Sequence, residues 1–207
     1  MTQVSEQGSA EGSSFFAIVS RMRYIERWAL MRSTRPENLA EHSLDVAIIA
    51  HALATLANVR HGRSLDAEKA ALIGLFHDTS EIITGDMPTP VKYANPLIRD
   101  AYKDVEDGAC RQLIEELPED LRGAYEGIYF GSDDEDEAYL RRLVKAADKI
   151  SALIKCIEEQ QAGNAEFETA AVSVRAKVDE MAAELPEVAD FVAEFVPSYG
   201  KTLDQLL

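Results

Sequence analysis

Cysteine is nearly absent: the two present, Cys110 and Cys156, neither adjoin another cysteine nor form a zinc-type pair. No disulfide framework or structural zinc site is therefore indicated, and a reducing cytoplasm is the expected setting. Positive charge is also scarce, with 21 Lys and Arg against 37 Asp and Glu and a formal net charge of −16. Such a surface repels polyanions, so neither a nucleic-acid polymer nor a membrane surface is an expected partner. The opening residues MTQVSEQGSAEGSS lack a basic n-region and an apolar h-region, and no uninterrupted apolar stretch approaches membrane-spanning length. Internal repeats and low-complexity linkers are missing too, which leaves a disordered tail over residues 1–13 and one domain over 14–207.

What the chain has in quantity is apolar residues, 46% of the total, spread without a composition break. They recur at helical spacing through Phe15, Phe16, Val19, Met22 and Ile25, then through Leu44, Ile48, Ile49, Ala52, Leu53 and Leu56. A third helix is expected from the N-cap Asp66 through Ile73, His77, Glu81 and Ile82 to a left-handed stop at Gly85. In TGDMPTPVKY, Pro88 and Pro90 should hold Asp86 and Thr89 on an ordered turn rather than in a helix. A helix from about Pro96 to Leu117 precedes a less regular acidic stretch ending in GSDDEDE. That run suits the N-terminus of a long helix carrying Leu140, Leu143, Val144, Ala147, Ile150 and Leu153 and stopping near Gly163. The remainder adds one or two helices broken around Pro186 and Pro197. Strand alternation is nowhere sustained, so the expected architecture is an all-α single-domain bundle.

Four polar side chains sit where that bundle should be apolar. Asp148 lies among Val144, Ala147 and Ser151, and an unpaired carboxylate there costs several kcal/mol to desolvate. An ion pair with Lys145 or an arginine is one solution. The other is a divalent metal held by Asp148 with His42 and the dipeptide His77-Asp78, since imidazole nitrogens and carboxylate oxygens are what a hydrolytic divalent ion takes. Neighbours about 100° apart on one helix can both reach a centre at a helix junction. Glu81, one turn beyond His77, and Asp86, on the proline-bracketed loop, are carboxylates placed to divide acid and base roles. Between residues 20 and 35, Arg21, Arg23, Arg27, Arg32 and Arg35 face only Glu26. At the end of the first helix Arg27 and Trp28 put a planar cation beside a flat ring, suited to a phosphate and a nucleoside. His51 and His61 lack such partners and are read as surface or packing residues.

The order His42, His77-Asp78, Asp148 resembles the HD-domain phosphohydrolase superfamily. The segments RWALMRSTRPENLAEHSLDVA, LFHDTSEIITGDMPTPVKY and KAADKISALIKCIEE are similar to the bacterial 5′-deoxynucleotidases of the YfbR type. That resemblance implies an all-helical homodimer of the HD type that hydrolyses deoxyribonucleoside 5′-monophosphates with one divalent ion such as Co2+, Mn2+ or Cu2+. It implies that His42, His77, Asp78 and Asp148 hold the metal, that Arg27 orients the phosphate and Trp28 contacts the sugar, and that Glu81, Asp86 and Arg27 serve catalysis. The substrate pocket would comprise Asp86, Met87, Pro88 and Thr89 beside Arg27, Trp28, His42, Asp78 and Asp148. The rivals are an HD hydrolase for nucleoside triphosphates, cyclic dinucleotides or guanosine tetraphosphate, and a helical nucleotide-binding module without turnover. One metal set and no second HD pair argue against bimetallic members.

Overall fold

In the computed structural model, which describes residues 12–92 and 94–207, every regular element is helical apart from an isolated bridge between Glu26 and Asn38. Helix α1 (Phe15–Val19) tightens into a 3-10 turn over Ser20–Tyr24, and an extended loop leads to α2 (Leu39–His61). Next come α3 (Ala67–Phe76), the short α4 (Glu81–Thr84) and α5 (Thr89–Lys92), then α6 (Pro96–Glu115) and α7 (Glu119–Tyr129). The long α8 (Glu135–Gln161) is followed by α9 (Glu168–Glu184), α10 (Pro186–Glu194) and α11 (Leu203–Leu206). Most of the expected tail lies outside the described residues; Ser13, at its end, donates from Oγ to the Glu116 carbonyl at 2.6 Å.

Local chemistry sets the helix ends. Asn38 Oδ1 accepts from the amides of Ala40 and Glu41, both at 3.0 Å, while Glu41 Oε2 accepts from the Asn38 amide at 3.3 Å. This capping box, worth about 1 kcal/mol, fixes where α2 begins and thus where His42 stands. Gly62, at φ +68°, ends the helix in the left-handed region that glycine adopts freely. Asp66 starts α3 by accepting from the Lys69 amide at 2.8 Å. Three acidic residues in the first turn of α8 complement the helix dipole, as the GSDDEDE run predicts.

The main core joins α2 to α8, through Val46, Ile49, Ala50 and Leu53 on one and Leu140, Leu143, Ala147 and Ile150 on the other, with Ile73, Val178, Val188 and Phe191 closing it. By length and composition α2 could cross a membrane, but it is the central helix of this bundle, and its buried arc includes His42 and Ser43. Leu44 and Ile48, which open the apolar period of this helix, are 54% and 60% exposed. Both sides of α2 are apolar, so helical period alone does not say which arc faces inward; the packing of α3, α8 and α10 does.

Two expected helices are shorter than their apolar pattern. The first ends as a 3-10 turn at Tyr24 instead of reaching Trp28. The third stops at Phe76, because Thr79 returns both its amide, at 3.2 Å, and its hydroxyl, at 2.8 Å, to the Phe76 carbonyl. Glu81 therefore opens a separate helix. Gly85 ends that helix at φ +75°, ψ 158°, outside the left-handed helical well that was expected. The stretch after Leu117 read as irregular is α7, which starts behind Pro118 with Glu119 and Asp120 in its first turn. Asp86 lies in the non-helical link between α4 and α5, whereas Thr89, expected outside a helix, begins α5.

The contact that sets helix spacing is at Gly74, where an added Cβ would meet Ala47 Cα at 2.9 Å and Ala47 N at 3.0 Å. Gly74→Ala must push α3 off the backbone of α2, and overpacking of this kind costs about 1–3 kcal/mol. The urea midpoint should fall accordingly; an unchanged midpoint would mean that the two helices part freely.

Candidate metal centre

Three helices bring the four candidate ligand side chains to one junction. His42 projects from the start of α2, His77 caps α3, Asp78 occupies the turn that follows, and Asp148 comes from the middle of α8. The HD pair is thus a helix end plus a turn residue, not two neighbours on a continuing helix. Its Asp78 Oδ2 lies 3.0 Å from His77 Nε2 and 3.6 Å from His42 Nε2, while Asp148 Oδ1 lies 3.3 Å from His42 Nε2. Ligand atoms of His42, His77 and Asp78 all fall within 4.8 Å of one another. Asp148 is not part of that tight group; it borders it, with Oδ1 3.3 Å from His42 Nε2.

The ring orientations suit ligation. His77 Nδ1 is 2.7 Å from the Gly74 carbonyl, which only accepts, so Nδ1 carries a proton and Nε2 is turned to the carboxylates; burial opposes charge on this ring, but Asp78 outweighs it and raises the His77 pKa. His42 Nδ1 is 3.1 Å from Ser151 Oγ, a hydroxyl that can accept the Nδ1 proton and so allow Nε2 to carry the lone pair. Neither Nε2 makes a hydrogen bond, despite the nearby carboxylates, and both are buried. Buried polar atoms without partners are rare and costly, so two converging on a pair of carboxylates fit a divalent cation well. Burial, then the Arg27 charge, lowers the His42 pKa and favours the neutral ring a metal needs. Burial would raise Asp78, but His77 and His42 outweigh it and bring the carboxyl to about 2. For Asp148, burial is likewise overcome, by His42 and then Lys149, and the pKa is well below the usual carboxylate range. Where an ion pair with Lys145 was the alternative, Lys149 reaches Asp148 Oδ2 at 2.9 Å.

Around this centre, Arg27 Nη1 stands 3.5 Å from Asp78 Oδ2, with its side chain only 11% exposed. Burial would lower its pKa, yet Asp148, Asp78, Glu37 and Asp86 together raise it, so the guanidinium stays charged. The other arginines of its sequence cluster disperse: Arg32 pairs with Glu166 and Arg35 with Glu41 at the surface. Glu81, first residue of α4, is buried with Oε2 unpartnered, and burial followed by the charges of Asp78 and Asp86 pushes its pKa up to about 9. The adjoining turn is tied down by the Tyr102 hydroxyl, which donates toward Thr84 Oγ1 at 3.1 Å and the Gly85 carbonyl at 3.0 Å. Met87 and Pro88 are half-buried and Thr89 is exposed; no hydrogen bond or ion pair among the described residues links them to the ligands. His51 is exposed and His61 pairs with Asp190 at 3.0 Å, both away from this site as expected.

Arg27 and Trp28 lie on the loop before α2, not at a helix end. Trp28 is the only non-glycine with positive φ among the described residues, at +59°, a conformation that persists only where surroundings enforce it. The backbone is pinned by the Glu26–Asn38 bridge and by the Arg27 amide donating to the Glu37 carbonyl at 2.9 Å. The indole packs at 5.3 Å from Phe167. Further along, buried Glu159 of α8 accepts from the amide and hydroxyl of Thr34, both at 2.8 Å, from the Arg35 amide at 3.3 Å, from Asn164 Nδ2 at 2.7 Å and from Lys155 Nζ at 2.5 Å. Glu37, Ser151 and Glu159 were all missed by sequence reasoning. Only Glu159, four residues after Lys155, carried a local signal, the i,i+4 pair.

A model of the family described as 5′-deoxynucleotidase YfbR-like matches residues 14–199. The 5′-deoxynucleotidase of Vibrio cholerae is 45% identical over 195 residues, 94% of this chain and 98% of that protein. An HD-domain phosphohydrolase from Listeria innocua superposes with a TM-score of 0.76 at 25% identity, covering 90% of this chain and 88% of that one. At 20% identity, a cyanophage S-2L HD phosphohydrolase, described as bound to dA and one catalytic Zn2+ ion, shares the fold with a TM-score of 0.58 over 95% and 96% of the two chains.

The Glu159 network yields a stability prediction. Burial would raise its pKa, but Lys155, Asn164 and Thr34 hold it well below the ordinary value of 4.5. A depressed carboxylate contributes stability that is present above its unfolded pKa and is lost as pH falls toward its folded one. Glu159→Gln leaves Lys155 buried without its counter-charge and should cost about 3–5 kcal/mol at neutral pH. Urea midpoints should also fall less between about pH 5 and about pH 3 for the variant than for the parent; parallel acid limbs would contradict the assignment.

Proposed function

The chain belongs to the YfbR-like 5′-deoxynucleotidase family, and from that premise we propose how its residues share the reaction. It hydrolyses deoxyribonucleoside 5′-monophosphates to the deoxyribonucleoside and phosphate, and the hydrolysis depends on a divalent metal. The observation that carries the site assignment is the pair of buried, unpartnered Nε2 atoms of His42 and His77 facing Asp78 and Asp148. These four residues hold the ion. A divalent cation in such a set supplies Lewis acidity, polarising a phosphoryl oxygen and making water acidic enough to attack near neutral pH. The family resemblance favours Co2+, Mn2+ or Cu2+.

The remaining work falls to the protein's own groups. Arg27, kept charged by its carboxylate neighbours, binds the phosphate oxygens and compensates charge on them, which matters because phosphoryl transfer is governed mainly by positioning and electrostatics. Glu81 holds a proton at neutral pH in its buried setting and can give it to the departing 5′-oxygen. Asp86, on the tied turn, orients the attacking water and takes its proton. Trp28 lies against the deoxyribose, and Met87, Pro88 and Thr89 close the pocket over the substrate with His42, Asp78 and Asp148 beneath it. The enzyme works as a cytoplasmic homodimer with no nucleic-acid polymer or membrane as partner. A second copy is supported by the exposed apolar run Leu44, Ile48 and Val59 along α2, and a reducing compartment by two free cysteines.

Phosphate release from deoxy- and ribonucleoside mono-, di- and triphosphates, measured with each of several divalent ions, should single out the deoxynucleoside monophosphates. Preference for triphosphates would identify a different HD hydrolase, and binding without release a non-catalytic module. His77→Ala should lose the ion by elemental analysis as well as turnover. Glu81→Gln should retain the ion and lower kcat about 10²–10⁴-fold, the usual contribution of a proton donor; unaltered kcat would remove Glu81 from the reaction.

A further inference from the structure

Glu37 precedes the N-cap of α2 and lies beside, not in, the ligand set. One of its oxygens, Oε2, accepts from the Trp28 indole Nε1 at 2.9 Å and from Arg27 Nε at 3.3 Å. Its backbone carbonyl takes the Arg27 amide at 2.9 Å. Side chains of both ion-pair partners are largely buried, 11% exposed for Arg27 and 13% for Glu37. The indole has a single N–H to donate, so this bond spends its whole polar capacity.

We propose that Glu37 is a specificity-setting positioning residue: a single carboxylate oxygen fixes both the phosphate-facing guanidinium and the sugar-facing indole, and so sets the distance at which a 2′-hydroxyl is accepted or refused. This role builds on the assignment of Arg27 to phosphate and Trp28 to deoxyribose. The geometry is sufficient for it. Phe167 meets the indole at 55°, with centroids 5.3 Å apart, and limits the ring on that side without holding its polar edge. The Nε1–Oε2 bond holds that edge. Arg27 is anchored through Nε to the same oxygen, so its Nη1, 3.5 Å from Asp78, is aimed at the ligand set by Glu37 and not by rotamer preference alone. Discrimination between sugars that differ by one hydroxyl depends on such fixed placement, since a mobile ring makes room for the extra oxygen.

The test compares kcat and KM for dAMP and AMP across the parent, Trp28→Ala, Glu37→Ala, Glu37→Gln and Glu37→Asp, each metal-loaded, with metal content and far-UV circular dichroism recorded. Glu37→Ala should lower the deoxy-to-ribo ratio of kcat/KM roughly tenfold, the equivalent of one hydrogen bond to a charged group, with metal content unchanged. Glu37→Gln retains an acceptor for the indole but no charge for Arg27, so it should keep the ratio while KM rises for both substrates. Glu37→Asp, too short to reach the indole, should behave as Glu37→Ala and serves in its place if that variant does not fold. If Trp28→Ala lowers the ratio and neither Glu37→Ala nor Glu37→Asp does, the Glu37 role is overturned and the Trp28 assignment stands. If the parent treats both sugars alike, or Trp28→Ala leaves the ratio intact, the Trp28 assignment fails and takes the Glu37 role with it.

Discussion

Contact between Gly74 and the backbone of Ala47 is the constraint from which the site follows. With no Cβ on Gly74, α3 settles directly on α2, and one turn later His77 arrives with its ring 5.4 Å from that of His42. The same glycine supplies the carbonyl that takes the His77 Nδ1 proton. One residue thus sets helix spacing, ring orientation and tautomer together. From the other side α8 presents Asp148 to His42 Nε2 and, one turn on, Ser151 to its Nδ1. Ligand placement is a by-product of core packing, because Ile73, Val46, Ala47 and Ala147 hold the three helices around the four ligands.

Concentrating charge at that junction opposes stability. Asp78 and Asp148 are ionised where burial disfavours it, and they stay so because two imidazoles, Lys149 and Arg27 surround them. Glu81, adding one more carboxylate, answers by keeping its proton. A bound divalent cation relieves this arrangement at its centre, stabilising the folded chain by mass action. It also works against the two negative charges that lift Glu81, so proton affinity at Glu81 and occupancy of the ligand set are physically linked.

Helical character and the longer helices were legible from period and punctuation, with Pro96, the acidic run before α8 and Pro186 acting as their chemistry dictates, whereas the short α4, α5 and α11 and the acidic α7 were not. So was the meeting of His42, His77 and Asp78, with Asp148 beside them, because polar residues such as Asp148 and His77 on apolar faces demand a partner. Two kinds of feature escaped. Where a side chain competes with the helix for a backbone carbonyl, as Thr79 does at Phe76, apolar period runs straight through the break. Where both sides of a helix are apolar, as at Leu44 and Ile48, the inward arc depends on neighbours distant in sequence. Glu37 and Glu159 escaped for a related reason. Each acts on a loop whose path is fixed by tertiary contacts, and in the sequence they read as surface carboxylates.

That loop divides the site into halves of different construction. The proposed metal ligands ride on helices and the turn after α3, where packing locks rotamers. Arg27 and Trp28 ride on an extended segment, one of them in a left-handed conformation that an L-residue adopts only under constraint. The constraint comes from buried carboxylates, with Glu37 gripping the start of the segment and Glu159 its middle, and the capping box at Asn38 closing its end. The halves meet at two joints: the Asn38 carbonyl accepts the His42 amide at 3.1 Å, and Arg27, held by Glu37, reaches Asp78 at 3.5 Å, so the grip on the loop also bears on two of the proposed ligands.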